Sequence, residues 1–245
     1  MQKRSAKMAV AVLCLVMVPV VAGYAAEASA WKRQIGAGYN QSNGNTKKAS
    51  FSLAASADRK TAQDEINLKG SIFNSSSNRR LDGQKWYTLG RYGYNIVDET
   101  WFLFGKVEGD HDRFANINYR VIPSAGLGYQ FANSEDWKAL AELGAGISYT
   151  KFLDGTKSAT DPMITTRLFL DRRLIKASHL TEDVTMYSST KGANKYRVHS
   201  ETAFNNPIAE NLLFKVSFID DYNNAPSNDA KKNDTQLITS INYAF

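Results

Sequence analysis

The amino-acid sequence predicts an all-β chain: a closed antiparallel transmembrane β-barrel of about 12 strands. Three observations carry that expectation. The N-terminus has the order of a secretory export signal. Nearly every segment after Trp31 alternates apolar and polar residues with a period of two. The alternating segments are long, several of them about 11 to 15 residues. Strands of soluble proteins usually run about 5 to 6, and a tilted strand needs about 9 to 11 to cross a bilayer.

Composition removes the competing classes. The 245 residues are 43% hydrophobic, 22% charged and 11% aromatic. A bundle of membrane helices needs repeated apolar runs of about 20 residues, and the sequence has none. Aromatic residues spread along the whole length exclude a disordered chain. Five prolines and one cysteine exclude collagen-like and disulfide-stapled classes. A net charge of +6 at first suggests a nucleic-acid partner.

Residues 1–30 read as a cleaved secretory signal peptide. Lys3, Arg4 and Lys7 precede an apolar run from Met8 to about Gly23, and small residues follow as far as Ala30. Ala28-Ser29-Ala30 is the preferred cleavage triplet, with Gly23-Tyr24-Ala25 as the second choice. A membrane anchor would need a longer run and no cleavage motif. Removing the segment takes away three bases and Glu27. The basic excess then drops by two, and no nucleic-acid partner is expected. Cys14 leaves as well, and Leu13 before it stands where a lipoprotein needs a small residue. The remaining domain, 31–245, has no thiol, disulfide or cysteine metal site, as suits an exported protein of the bacterial envelope.

Residues 31–245 divide into segments 32–42, 47–58, 63–74, 85–96, 100–111, 117–131, 137–151, 162–174, 180–190, 194–205, 210–222 and 233–245. In 137–150 one face reads Trp137, Ala139, Ala141, Leu143, Ala145, Ile147, Tyr149. The other reads Lys138, Leu140, Glu142, Gly144, Gly146, Ser148, Thr150. Phe51, Leu53, Ala55 and Ala57 repeat the pattern in the second segment, and Ile66, Leu68, Gly70 and Ile72 in the third. Tyr119, Val121, Pro123, Ala125, Leu127, Tyr129 and Phe131 make the apolar face of the sixth. Leu237, Thr239, Ile241, Tyr243 and Phe245 make that of the last.

The connections alternate too. Those after even segments read as tight turns: 59–62, 97–99, 132–136 and 206–209, with a moderate one around 176–179. Those after odd segments read as longer polar loops, as at 75–84, 110–116, 153–161 and 223–233. Short turns on one side and long loops on the other are the pattern of outer-membrane barrels, and an even strand number places both termini on the periplasmic side. Tyr243 and Phe245 end the last strand as an aromatic-x-Phe barrel-assembly signal, and that strand must close against the first because lipid leaves no open edge satisfied.

Three stretches resemble the salt-induced outer-membrane protein family of YdiY-like bacterial proteins, whose function is unassigned. They are Gly38-Tyr39-Asn40-Gln41-Ser42-Asn43-Gly44-Asn45-Thr46; Asp112-Arg113-Phe114-Ala115-Asn116-Ile117-Asn118-Tyr119-Arg120 followed by Gly126-Leu127-Gly128-Tyr129-Gln130-Phe131; and Asn233-Asp234-Thr235 through Tyr243-Ala244-Phe245. Their order spans nearly all of 31–245. Pro123 inside a strand, and Ala115-Asn116 where a glycine is expected, depart from the pattern. The resemblance implies a small outer-membrane barrel and a link to salt or osmotic stress. It transfers no catalytic residues.

If the apolar face meets lipid, the polar face lines the lumen. The lumen-lining candidates are Arg91, Lys106, Glu108, Arg120, Glu142, Arg167, Arg197, His199, Glu201 and Lys215, with Glu65, Lys69 and Asp171 beside them. Mixed charge there suits a pore for small hydrophilic solutes. It equally suits internal ion pairs that brace a narrow barrel, and Phe102, Phe104 and Phe169 on the same face favour plugging. Eight strands are filled by side chains and sixteen leave open water, so about twelve stand between. Trp86, Trp101, Trp137, Tyr94, Tyr129 and Tyr149 lie near strand ends and read as interfacial girdles.

An enzyme would need a nucleophile and base on one face. Ser200 adjoins His199 but points to the opposite face, which leaves Ser188 or another strand as its partner. Asp110-His111-Asp112 reads as a loop, either solvated or holding a cation. No cofactor motif is present, and catalysis is not expected. The sequence thus points to an integral barrel of the bacterial outer membrane, structural or a passive small-solute pore. A lipid-modifying or adhesion barrel is the alternative. Its expected partners are outer-membrane lipids, lipopolysaccharide and, during insertion, the barrel-assembly machinery.

Overall fold

The computed structural model describes residues 31–42, 48–97, 99–192, 195–226 and 231–245. The expected signal peptide and the Gly44-Asn45-Thr46 turn lie outside these residues. Twelve strands follow one another: β1 (Lys32–Ser42), β2 (Lys48–Lys60), β3 (Asp64–Ser77), β4 (Arg80–Val97), β5 (Trp101–Asp112) and β6 (Ile117–Asn133). Then come β7 (Trp137–Phe152), β8 (Ala159–Arg173), β9 (His179–Ser189), β10 (Tyr196–Ala209), β11 (Leu212–Asn223) and β12 (Asn233–Ala244). Each strand pairs antiparallel with the next, and β1 closes on β12 from Gln34↔Ala244 to Gly38↔Ser240. Closure leaves no ladder edge open, which is the condition for spanning lipid with strands.

Alternation sorts the side chains as the period requires. Leu103, Val107, Leu127, Leu143 and Leu168 point outward and are 48%, 52%, 48%, 61% and 53% exposed. Their inward neighbours Phe104, Glu108 and Glu142 are 4%, 5% and 3% exposed. Carboxylates inside and leucines outside invert a water-soluble protein, and they define a lipid-facing wall. Aromatic residues band both ends of that wall. At the short-turn end Trp101 meets Tyr129 edge-on at 4.8 Å and Tyr129 meets Phe131 at 4.9 Å. Tyr94, Trp137 and Tyr243 join them there. At the loop end Trp86 stacks on His111, Tyr119 lies by Tyr149, and Tyr196 lies by Tyr222.

The connections differ from the sequence pattern in three places. Residues 75–84 are not a loop, because β3 and β4 run on to Ser77 and Arg80 and turn through Asn78 and Arg79 alone. Both turn residues have positive φ, 50° and 63°, as a two-residue hairpin turn demands. Serine and arginine hide no apolar period here, yet their backbones still gain the ladder. The segment 206–209 belongs to β10, with a register shift between Pro207 and Ala209, and the turn is Glu210-Asn211. Proline lacks an N–H and sits where the ladder is already irregular. Asp110, His111 and Asp112 are the last residues of β5 rather than a loop.

On the outer wall, β9 to β12 carry a polar patch. Glu182 points outward on β9 and accepts from the Thr202 hydroxyl across the strand pair. Asp220 points outward on β11 between Ser200 and Thr235, and its Oδ1 is buried without a partner. Both carboxylates lie inside the band bounded by Leu180 and Phe204 at one end and Tyr196 and Tyr222 at the other.

Candidate functional site

The inward face of every strand borders one lumen of about 2050 Å³. Its lining reaches Lys32, Thr61 and Asn133 at the short-turn rim and Ser75, Phe114 and Pro226 at the loop rim. All ten lumen-lining candidates of the sequence border it: Arg91, Lys106, Glu108, Arg120, Glu142, Arg167, Arg197, His199, Glu201 and Lys215. Strand parity places them there, and it does the same for Glu65, Lys69 and Asp171.

The structure brings most of these charges together as cross-braces. Arg91 of β4 donates to Glu142 of β7 at 2.7 Å, and both side chains are buried. The same Glu142 oxygen accepts from Arg167 of β8 at 3.3 Å. Arg167 grips Asp183 of β9 through two bonds of 2.7 and 2.8 Å. A planar guanidinium matches a carboxylate in this two-point way. Glu108 of β5 takes Lys106 at 3.0 Å and the hydroxyls of Tyr87 and Tyr187 at 3.0 and 2.7 Å. Because Tyr187 comes from β9, this knot crosses the barrel. Arg120 binds Asp110 twice at 2.8 Å, and Lys215 binds Glu201 at 2.8 Å. Lys85 reaches over from β4 to Asp112 at 3.1 Å, to Asp221 at 3.7 Å and to Asp234 of β12. Arg197 has no carboxylate partner among the described residues; its guanidinium lies 4.8 Å from the Tyr187 ring centre and its Nη2 is buried unbonded.

Apolar side chains fill the space between the braces. Arg91 lies 5.4 Å from the ring centre of Phe102 and 5.9 Å from that of Phe104, and Arg167 lies 5.3 Å from that of Phe169. Ile122, Met163 and Tyr187 pack as a small internal core. Glycine makes room for this filling. A Cβ on Gly128 would sit 2.0 Å from Phe102.

The opposite side of the lumen is empty by comparison. In the middle of β2 and β3 the inward residues are Ser50, Ser52, Ala54, Ser56, Lys69, Ser71 and Phe73, with Lys48, Asp58, Lys60, Glu65, Asn67 and Ser75 toward the rims. Ala54, Lys69 and Ser71 are exposed although they face inward. Cross-braces from β4 to β7 and from β4 to β11 and β12 stand like chords between this crescent and the filled half.

The three histidines fall short of a catalytic arrangement. His199 Nδ1 contacts Asp221 at 2.7 Å, but no hydroxyl among the described residues bonds to the ring. Ser188 and Ser200 are both on the outer wall, since their neighbours Tyr187 and His199 point in, so neither is a partner for His199. His179 contacts Asp171 at 2.8 Å near a turn. The Asp110-His111-Asp112 trio does not converge. His111 points outward against Trp86, while Asp110 and Asp112 point in and are taken by Arg120 and Lys85.

Sequence reasoning missed Lys85, Asp183, Asp221 and Asp234 as brace partners, and Tyr87 and Tyr187 as donors. For Lys85 and Tyr87 the signal was present in their parity with Arg91, for Asp221 in its parity with Lys215, and for Asp234 in its place on the face opposite Leu237. No residue of β9 is among the sequence candidates for the lumen, so Asp183 and Tyr187 carried none. Which partner each one meets across the lumen has no local signature.

A closed antiparallel barrel of twelve strands with lipid-facing leucines and internal charges has the outer-membrane β-barrel fold. The chain belongs to the family described as "Protein of unknown function, DUF481", whose model matches residues 35–245. It is 28% identical over 212 residues to "Uncharacterized protein YdiY" of Escherichia coli (strain K12), covering 86% of this chain and 82% of that one. Among solved structures it is similar to the COG4313 outer membrane channel from Pseudomonas putida F1, with a TM-score of 0.51 and 12% identity. That match covers 90% of this chain and 97% of the channel, and it speaks for the fold alone. The NanC porin gives a TM-score of 0.49 at 11% identity, over 88% and 99% of the two chains.

Proposed function

We propose that the protein is a passive channel of the bacterial outer membrane for small hydrophilic solutes. One observation carries this reading: the lumen of about 2050 Å³ borders residues of both rims and keeps an open stretch in the middle of β2 and β3, at Ala54, Lys69 and Ser71. A barrel serving only as a scaffold has no need of that space. The braces give the channel a fixed half, so the opening does not depend on a moving plug. Catalysis is not part of the proposal, since among the described residues no hydroxyl bonds to His199, whose ring contacts Asp221. On this reading both termini and the short turns face the periplasm, residues 1–30 direct export, and the aromatic bands meet lipid and lipopolysaccharide at the two interfaces. The barrel-assembly machinery would read Tyr243 and Phe245. A role in salt or osmotic stress would follow if the solutes carried are those that balance osmolarity.

The test is reconstitution. Purified, refolded protein that migrates faster on gels before heating than after is inserted into planar bilayers and into liposomes. The channel reading expects discrete conductance steps and swelling in small sugars or amino acids. Folded protein that leaves bilayers silent at high load would overturn it and favour a structural or adhesion barrel.

A further inference from the structure

Resting on the channel reading, we infer that solutes cross along the β2–β3 wall and that Lys69 sets their charge preference. The class admitted is small hydroxylated solutes that are neutral or singly negative; small cations are disfavoured.

Three features of the lumen support this. First, the free space is on one side. Inward groups of β4 to β11 such as Arg91, Lys106, Glu142, Met163 and Thr185 are buried, at 8%, 7%, 3%, 5% and 5% exposure. Inward groups of β2 and β3 at Ala54, Lys69 and Ser71 are exposed. A solute in water meets the second set. Second, apart from Lys69 and from Phe73, which faces in opposite Ser52, the middle of that wall is uncharged and hydrogen-bonding. Ser50, Ser52 and Ser56 project from alternate positions of β2, and Ser71 stands beside Ala54 across the ladder. Successive inward residues on a strand are about 6.8 Å apart and neighbouring strands about 4.8 Å. That grid of hydroxyls can exchange hydrogen bonds with a polyol stepwise, each contact being weak enough to leave. Gly36 on β1 continues the flat wall, where a Cβ would strike Asn242 Oδ1 at 1.8 Å.

Third, Lys69 is the cation in the middle of this wall that the braces leave out, whereas Arg197, which also lacks a carboxylate, sits in the filled half against Tyr187. It stands opposite Ser56 and next to Ser71 in the middle of the wall. Among the described residues no carboxylate lies within 4.0 Å of its ammonium. The acidic groups in its field are Asp183 and Glu201 across the lumen, and each already has a cation, Arg167 at 2.7 Å and Lys215 at 2.8 Å. Toward the short-turn rim, Asp58 and Glu65 share the amide of Asn67 at 2.9 and 2.8 Å. A narrow lumen with low-dielectric walls concentrates the field of an exposed charge that has no close partner. Paired charges on the far wall cancel over the same distance, so they brace without selecting.

The experiment measures reversal potential in a potassium chloride gradient across planar bilayers, with liposome swelling in neutral sugars alongside. The inference expects wild-type protein to prefer chloride, Lys69→Gln to lower that preference and Lys69→Glu to reverse its sign. Ser71→Asp, which adds an acid one inward position away, should move the potential in the same direction as Lys69→Glu. Ser71→Trp should slow sugar swelling by obstructing the wall. Lys157→Glu changes charge equally in the β7–β8 loop and should leave the potential in place. Gel mobility before heating confirms that each variant is folded. If wild-type protein conducts but Lys69→Glu and Ser71→Asp leave the potential unmoved, or Lys157→Glu shifts it as far, the inference is overturned while the channel stands. If folded wild-type protein does not conduct at all, the channel reading itself fails.

Discussion

The two sides of the lumen use the same strand geometry for opposite ends. On the β4–β11 side inward positions hold charges and large aromatic rings that reach across to each other. On the β2–β3 side the middle of the wall holds serine, alanine, Phe73 and Lys69, and among the described residues no ion pair reaches across the lumen from there. Alternation specifies only that a residue faces in. Side-chain length then decides whether the space is filled, because an arginine or tyrosine spans several ångströms of lumen and a serine does not. The braced half resembles a protein core in its energetics, since its charges are out of water and depend on their partners. The open half resembles a surface.

That contrast predicts unequal responses to substitution. The largest effect should come from Glu142→Leu, which leaves Arg91 buried without its carboxylate. Breaking a buried pair on one side costs about 3–5 kcal/mol, so the midpoint of urea unfolding in detergent should fall and the heat-resistant gel form should melt earlier. Gly128→Val comes next. The added carbons would displace the Phe102 ring, and overpacking of this kind costs about 1–3 kcal/mol; unfolding midpoints and near-ultraviolet dichroism of the aromatic rings would register it. A smaller change of opposite sign is expected on the outer wall. Asp220→Leu removes a carboxylate from the lipid face that has an unbonded buried oxygen, and stability should rise by on the order of 1 kcal/mol in lipid vesicles. The smallest effect is Ser71→Ala on the open wall, which should stay within about 0.5 kcal/mol. If Ser71→Ala destabilised the barrel as much as Glu142→Leu, the division into a braced and an open half would be wrong.

Much of the barrel was legible along the chain. Segments such as 137–151 and 117–131 carry their own period, and lipid outside with water inside makes that period nearly strict. The hairpin at Asn78-Arg79 was not legible, because above the membrane the strands need no apolar face and serines extend a ladder without announcing it. Pro207 misled in the other direction, since a residue common in turns is here tolerated at a register shift inside β10. The candidate lining residues followed from parity alone. Their pairing did not: nothing near Arg91 in the sequence points to Glu142, 51 positions away.

The sequence by itself determined the all-β class, the number of strands, the faces of those strands and the aromatic bands at their ends. These are local properties, set by a two-residue repeat and by the length needed to cross a bilayer. Only the tertiary structure decided which charges meet, which histidines stay isolated and where the lumen is open. Those depend on the closure of β1 against β12 and on how far each side chain reaches over the enclosed space, and distance across a barrel has no counterpart in distance along a chain.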